Sequence, residues 1–323
     1  MSKTLKIGCL TLAILFFIGL TFIAGIGVGS LATSIGETTE SKLHKTVLAG
    51  QGDDEIAIMN LTGIILTNPA QELFALAQGV ITPDAVGQTL ELALRDAAVK
   101  AVIIRIDSPG GSAVASDEIY QHIKNTATKK PVVILVGDTA ASGGYYIASA
   151  GNYILANPAS MIGSIGVIAE ITDVKELFKK IGLKQETYKS GEFKDLFSST
   201  RNRTPKEQQM IQELLDTTYG IFVQRVAAGR NMEVDKVLSL AEGKIYSGVK
   251  AKELGLIYDF GYRWEAFDKA KQLAGVTEAK LVAVSTKSLF QSLFSEIKSS
   301  NPLTALLPQL HLIQNPGVKY LYK

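Results

Sequence analysis

Apolar and polar positions along the chain fall into three regimes. No charged residue occurs from Ile7 to Ile35 (IGCLTLAILFFIGLTFIAGIGVGSLATSI), and about 20 apolar residues suffice to cross a bilayer. Residues 1–35 are therefore expected to be a cytoplasmic stub and a transmembrane helix. A cleaved signal has an apolar core of roughly 7 to 15 residues; the run here is longer, so a retained anchor is the preferred reading. Lys3 and Lys6 precede the span, and Glu37, Glu40, Lys42 and Lys45 follow it. This places the N-terminus in the cytoplasm and the rest of a single-pass protein on the extracytoplasmic side of the cell membrane. Gly25 and Gly29 form a GxxxG pair, which also reads as ordinary small residues of a membrane helix.

The second regime, residues 36–54, is polar and reads as a linker. Beyond it, short β-branched runs alternate with amphipathic stretches. IAIMNLTGIIL (Ile56–Leu66), AVIIRID (Ala101–Asp107) and PVVILVG (Pro131–Gly137) have the continuous apolar character of strands buried on both faces. Thr82-Pro83-Asp84 reads as a helix start with Thr as N-cap, the helix reaching about Ala98. A second helix is expected near Ala115–Thr126, a long one from Thr204 to about Gly229, and a short one near Gly248–Leu254. YILANP, GSIGVIAEI with the amphipathic DVKELFKKIGL, and KQETYKSGEFKDLF supply further units. Repeated strand, turn and helix units imply a layered α/β domain over 55–290. The tail 291–323 and the segment 68–81 give no usable pattern.

Composition narrows the possibilities. A chain of 323 residues with 46% hydrophobic content can bury a large core. A net charge of +2, with Lys and Arg spread along the chain, gives no electrostatic case for nucleic acid. The single cysteine, Cys9, excludes an intrachain disulfide, and no apolar region precedes it as a lipoprotein signal would need.

Two glycine-containing turns follow consecutive strands, SPGGS at Ser108–Ser112 and TAASGG around Ser142, where open α/β sheets place their ligands. Each could be merely a tight turn requiring positive φ. The second has small residues on both sides of Ser142, more than a turn needs, which would let a bound backbone approach closely. A hydroxyl at a helix start followed by the Gly143 N–H has the parts of a nucleophile and an oxyanion donor. No GxxxxGK[ST] phosphate loop occurs, and Ala140 stands where a GxSxG elbow would have its first glycine.

Only three histidines are available as a base. His44 lies in the linker, His311 in the tail, and His122 within the helix after SPGG, so a Ser-His-Asp triad is disfavoured. A lysine can serve if desolvation brings its pKa from about 10.4 toward 7 to 8. Lys175, Lys179, Lys180, Lys184 and Lys206 read as solvated helix positions. Lys194 sits in SGEFKDLFSS beside Phe193, Leu196 and Phe197; on an extended segment Asp195 would face the other way. Lys189 competes for the role, and spacing does not decide between them.

Taken in order, SPGG, TAASGGYYIAS, GSIGVI and YKSGEFKD closely resemble the signal peptide peptidase A (protease IV) family of membrane-anchored serine proteases, in its short single-domain form. The likeness runs from about Ile56 to Val284. It implies the Clp protease/crotonase-like α/β fold, a Ser142–Lys194 dyad, and an oxyanion hole from the N–H groups of Gly111 and Gly143. It also implies an edge strand from Gly163 through Ser164, Ile165, Gly166 and Val167 to Ile168 that pairs with the substrate peptide. Neither metal nor cofactor is implied. The expected partners are apolar peptides such as signal peptide remnants, the membrane, and further copies of the chain around a shared concave site. Ile245–Asp259 resembles the family's closing helix, with Tyr258 where an Asp would follow Ile257. The readings outside this class are a thioester-processing enzyme of the crotonase type and an inactive membrane scaffold.

Overall fold

The computed structural model describes residues 43–67 and 79–285. The expected membrane helix, the segment 68–78 and the tail after residue 285 lie outside the described residues. Among the described residues, no helix is long and apolar enough to cross a membrane.

In chain order the elements are β1 (His44–Gly50), β2 (Glu55–Ile65), β3 (Val80–Ile81), α1 (Pro83–Arg95), β4 (Val99–Gly111), α2 (Ala113–Ala127), β5 (Val132–Ala141) and α3 (Gly143–Ala148). They continue with β6 (Tyr153–Ala156), β7 (Met161–Gly163), α4 (Lys175–Lys180), α5 (Pro205–Arg230), α6 (Val234–Leu238), β8 (Ile245–Ser247), α7 (Gly248–Glu253), β9 (Asp259–Phe260), α8 (Arg263–Ala274) and β10 (Lys280–Ser285).

The sheet runs β1-β10-β2-β4-β5-β6-β9 and is parallel except where β1 meets β10. Off this path, β3 pairs with β2, and β7 bridges β5 and an antiparallel β8. The period-2 rule assigns side chains to the two faces. Ala57 and Met59, Val102 and Ile104, and Val132 and Ile134 enter one core together with the buried faces of α1, α2, α3 and α5. Ile56 and Ile58, Ala101 and Ile103, and Val133 and Leu135 enter a second core closed by Ala266, Phe267 and Ala270 of α8. Both faces of the central strands are thus covered, which explains why these runs carry no polar alternation. The result is a mixed α/β fold.

Local chemistry sets the helix starts. The Thr82 hydroxyl accepts from the Ala85 N–H at 3.3 Å, with Pro83 following it, and Ser112 does the same for Ala115 at 3.3 Å. Thr204 and Glu207 form a reciprocal capping box ahead of α5.

Three stretches differ from the sequence expectation. Part of the stretch read as a linker is strand β1, antiparallel to β10. Its side chains are mostly exposed, so it carries no apolar signature; it is held by ladder bonds and by Lys45 reaching Glu55 and Asp96. The strands of AVIIRID and PVVILVG extend to Gly111 and Ala141, because Gly111 registers with Ile65 and Ala140 with Ser108. Finally, the stretch from Ser164 to Arg203 forms no strand and only the six-residue α4, which buries no side chain. Ile165 and Leu196 are buried, but most of its apolar residues are not covered by the described residues: Ile168 is 80% and Tyr188 is 91% exposed.

Candidate active site

Ser142 stands between the end of β5 and the first turn of α3, half-buried, with φ +50° and ψ −122°. A residue with a Cβ rarely takes such a conformation, and where one does the surrounding structure must impose it. Here the Ser142 N–H donates to the Gly163 carbonyl at 2.8 Å, and the Tyr146 N–H donates to the Ser142 carbonyl at 2.9 Å. Strand, helix and β7 therefore hold the residue from three sides.

The small residues around it follow from this crowding. A Cβ on Gly144 would lie 2.5 Å from the Ser108 carbonyl oxygen, and one on Gly143 would lie 2.5 Å from the Ser116 hydroxyl. A Cβ on Gly110, whose φ is +104°, would meet the Gly143 nitrogen at 2.7 Å. Two glycine turns are thus packed backbone to backbone. The buried Ser108 fixes the first of them, its hydroxyl donating to the Gly63 carbonyl at 2.7 Å and accepting from the Gly110 N–H at 3.1 Å.

Ser142, Gly111 and Gly143 open into one cavity of about 750 Å³, a volume suited to part of a peptide. Ser164, Gly166, Val167 and Ile168 form one side, and Thr218, Tyr219 and Phe222 of α5 with Ala241, Glu242 and Gly243 form another. Tyr146 closes the wall, its ring 4.9 Å from that of Phe222. Its hydroxyl donates to Asp117 at 2.6 Å, and Arg225 donates to the same carboxylate oxygen at 3.0 Å. Burial and the hydrogen bond to Asp117 push the Tyr146 phenol well above its ordinary range, so it acts as a neutral wall. The walls from α5 and from 241–243 carry no motif in the sequence, which marked only the extent of the long helix.

The segment expected to pair with substrate differs from an edge strand. Gly163 ends β7, which is paired on both sides by β5 and β8. Beyond it, Ser164 adopts φ +49° and donates its N–H to the Lys244 carbonyl at 2.7 Å, and the Ile165 carbonyl accepts from Gly243 at 3.1 Å. Ile165 is fully buried, which leaves Ser164, Gly166 and Val167 facing the cavity.

Lys194 is exposed, in hydrogen-bonded turns spanning 191–197, and is not among the residues lining the cavity of its own chain. The extended geometry expected for it does not hold: its N–H donates to the Gly191 carbonyl at 3.3 Å. Asp195 is nevertheless turned to other cations, bonded by Arg201 and by Lys189 at 2.7 Å. Lys189, the competing base, gives its ammonium to Asp195 and to the Glu192 carbonyl. Among the described residues the Lys194 ammonium has no ion-pair or hydrogen-bond partner. His122 is exposed on α2 with its ring against Gly87 of α1, in a groove away from Ser142, and His44 lies on exposed β1. His311 lies outside the described residues. No cluster of metal-ligating side chains occurs among the described residues.

Comparison with known proteins places these motifs in a family. Residues 124–277, which include Ser142 and Lys194, match the model of Peptidase family S49. The chain is 44% identical over 181 residues to a putative protease of Synechocystis, covering 56% of this chain and 65% of the relative. It is 38% identical over 188 residues to a putative protease of Methanocaldococcus jannaschii, covering 58% and 60%. The chain thus spans somewhat under two thirds of the length of these two curated relatives. A putative signal peptide peptidase of Enterococcus faecium is 34% identical over 261 residues, 79% of this chain and 73% of its own. Among solved structures, a membrane-bound stomatin-specific protease aligns with TM-score 0.42 and 17% identity, over 68% of this chain and 86% of that one. With most of its length matched to a relative of that name, and with the Ser142 turn and the Lys194 segment inside the matched domain, the chain belongs to the signal peptide peptidase A family of Peptidase family S49.

Proposed function

We propose that the chain is a membrane-anchored serine endopeptidase with the Clp protease/crotonase-like arrangement, in which Ser142 is the nucleophile and Lys194 the general base. The observation that carries this reading is the junction at Ser142: a hydroxyl held at φ +50° beside the Gly111 and Gly143 backbones, at the mouth of a peptide-sized cavity. Neutral Lys194 takes the Oγ proton as Oγ bonds to the scissile carbonyl carbon. The resulting oxyanion lies against the N–H groups of Gly111 and Gly143. Collapse breaks the C–N bond, and Lys194 returns the proton to the leaving amine. A water molecule, deprotonated by Lys194, then attacks the ester carbonyl; cleavage of the C–Oγ bond releases the acid while Lys194 returns the proton to Oγ and restores Ser142. The apolar wall of Tyr146 and Phe222 favours apolar peptides, such as signal peptide remnants.

Lys194 is exposed and outside the cavity of its own chain, so it is supplied to Ser142 by a second copy in a closed homo-oligomer. The exposed Ile168, Leu177, Ile181, Tyr188 and Phe197 of the same stretch support such an assembly, since large apolar side chains left on the surface ordinarily mark an interface.

The test is fluorophosphonate labelling and peptide hydrolysis by the full chain in detergent. Labelling lost in Ser142→Ala, hydrolysis lost in Lys194→Ala, and hydrolysis regained when the two variants are assembled together would fit a dyad shared between copies. Full hydrolysis by Ser142→Ala would end the serine protease reading. Inactivity of every mixed assembly would end the sharing of the dyad between copies.

A further inference from the structure

Among the described residues, a linked cluster of four charged side chains outside the cavity adjoins the turn of Lys194. The Arg201 guanidinium donates from Nε to Asp195 Oδ2 and from NH2 to Asp195 Oδ1, both at 2.7 Å, a two-pronged contact. With its remaining donors it reaches Glu207, including NH1 to Oε2 at 2.9 Å, and the Asn202 carbonyl at 2.9 Å. Glu207 is 1% exposed and accepts from the Thr204 N–H at 2.8 Å, so one end of the cluster is built into the cap of α5. Arg203 adds bonds to the carbonyls of Leu196 at 3.2 Å and Ser198 at 2.9 Å. The turn that carries Lys194 is therefore stapled to a helix start through arginines.

We propose that Arg201 is a positioning residue for Lys194: by clasping Asp195 and Glu207 together it fixes the turn bearing the base and keeps the adjacent carboxylate from pairing with it. The inference rests on the assignment of Lys194 as base. A lysine that must accept a proton is disabled by a carboxylate that stabilises its charged form. Asp195, one residue away, is the nearest threat. Its carboxyl is held far below the ordinary carboxylate range by the hydrogen bonds of Arg201 and then of Lys189. The charged groups around the turn are Lys189, Glu192 and Asp195 on its own segment, Arg201 and Arg203 in the connection, and Lys206 and Glu207 on α5. Glu192 faces Lys206 at 4.0 Å. Lys189 and Arg201 balance Asp195 and Glu207, and Lys206 faces Glu192, so of the charges around Lys194 only that of Arg203, spent on backbone carbonyls, is left unbalanced.

The test is the pH profile of kcat/KM for peptide hydrolysis by the full chain in detergent. Arg201→Gln removes one positive charge beside the base and should move the rising limb upward by about half to one pH unit. Asp195→Asn removes one negative charge and should move the limb downward by a similar amount. Arg201→Lys keeps the charge but loses the fork, and should restore the limb while lowering kcat. A purely structural role would lower activity equally at every pH; that result, or equal limbs in all three variants, overturns the proposal. If Arg201→Gln does not fold, the displacement of Asp195→Asn relative to Arg201→Lys decides the matter. Lys194→Ala separates the two failures. An active Lys194→Ala removes the dyad itself, whereas an inactive one with unmoved limbs in the others removes only the clasp.

Discussion

The neighbourhood of Ser142 and the stretch from Ser164 to Arg203 are built in opposite ways. Around Ser142 the chain is buried, glycine-rich and fixed by backbone contacts under 3 Å to any added Cβ. Around Lys194 it is exposed, almost without regular structure, and fixed by charged side chains. A nucleophile with its oxyanion donors needs sub-ångström placement of backbone N–H groups, which a close-packed interior supplies. A base that reaches the site from elsewhere needs only a well-directed side chain, and a surface clasp can supply that.

The largest effect expected from this contrast is catalytic. With Ser142 and Lys194 in the proposed roles, Ser142→Ala and Lys194→Ala should each lower kcat by about 10³-fold or more, because a nucleophile and its base act as a unit. Their effects on stability should be within about 0.5 kcal/mol for the exposed Lys194. A thermal melt in which Lys194→Ala loses much stability would break the comparison. For the active chain, hydrolysis should rise from neutral to mildly alkaline pH as the amine loses its proton; a rate already at its plateau at pH 5 would argue for a carboxylate or histidine base.

Glycine substitutions separate the two regions next. Gly144→Ala forces the Ser108 carbonyl aside and should destabilise by about 1 to 3 kcal/mol, with loss of activity. Gly191→Ala meets only the Lys194 Cγ, at 3.6 Å, and should change stability by less than about 0.5 kcal/mol. Equal losses in denaturant titrations would erase the distinction. At the cavity wall, Tyr146→Phe removes one hydrogen bond to Asp117 and should cost about 1 kcal/mol with the labelling of Ser142 retained.

The smallest effect is local and acid-dependent. Arg201 is the main cause of the lowered carboxyls of both Asp195 and Glu207, the latter brought from 4.5 to about 2. A carboxylate whose folded pKa is depressed stabilises the fold above its unfolded pKa and loses that contribution as pH falls through the folded one. The segment 189–207 should therefore open to proteolysis between pH 4.5 and about 2, while the strands around Ser142 stay protected. Glu207→Gln should be open already above that window; protection unchanged down to pH 2 would sink the idea.

Legibility in the sequence followed the kind of force involved. The central strands, the cap at Thr82 and the start of the long helix at Thr204 were readable because burial on both faces and local hydrogen bonding leave marks within a few residues. The crowding around Ser142 was readable because close backbone approach excludes side chains on both sides. Strand β1 was missed, since an edge strand with exposed faces is held by ladder bonds and by Lys45, neither of which leaves a periodic trace. The apolar residues of 168–197 were read as local strand and helix faces, although their own chain does not bury most of them.

By itself, the sequence determined the α/β layering, the crowded serine turn and the shortage of histidine, because each depends on residue type and near-neighbour spacing. Only the tertiary structure decided that Gly163 lies inside the sheet, that α5 walls the cavity, and that Lys189 and Arg201 occupy Asp195. These depend on contacts between residues far apart in the chain or between long side chains with many rotamers, and register and ion-pair choice are fixed only once the surrounding elements have packed.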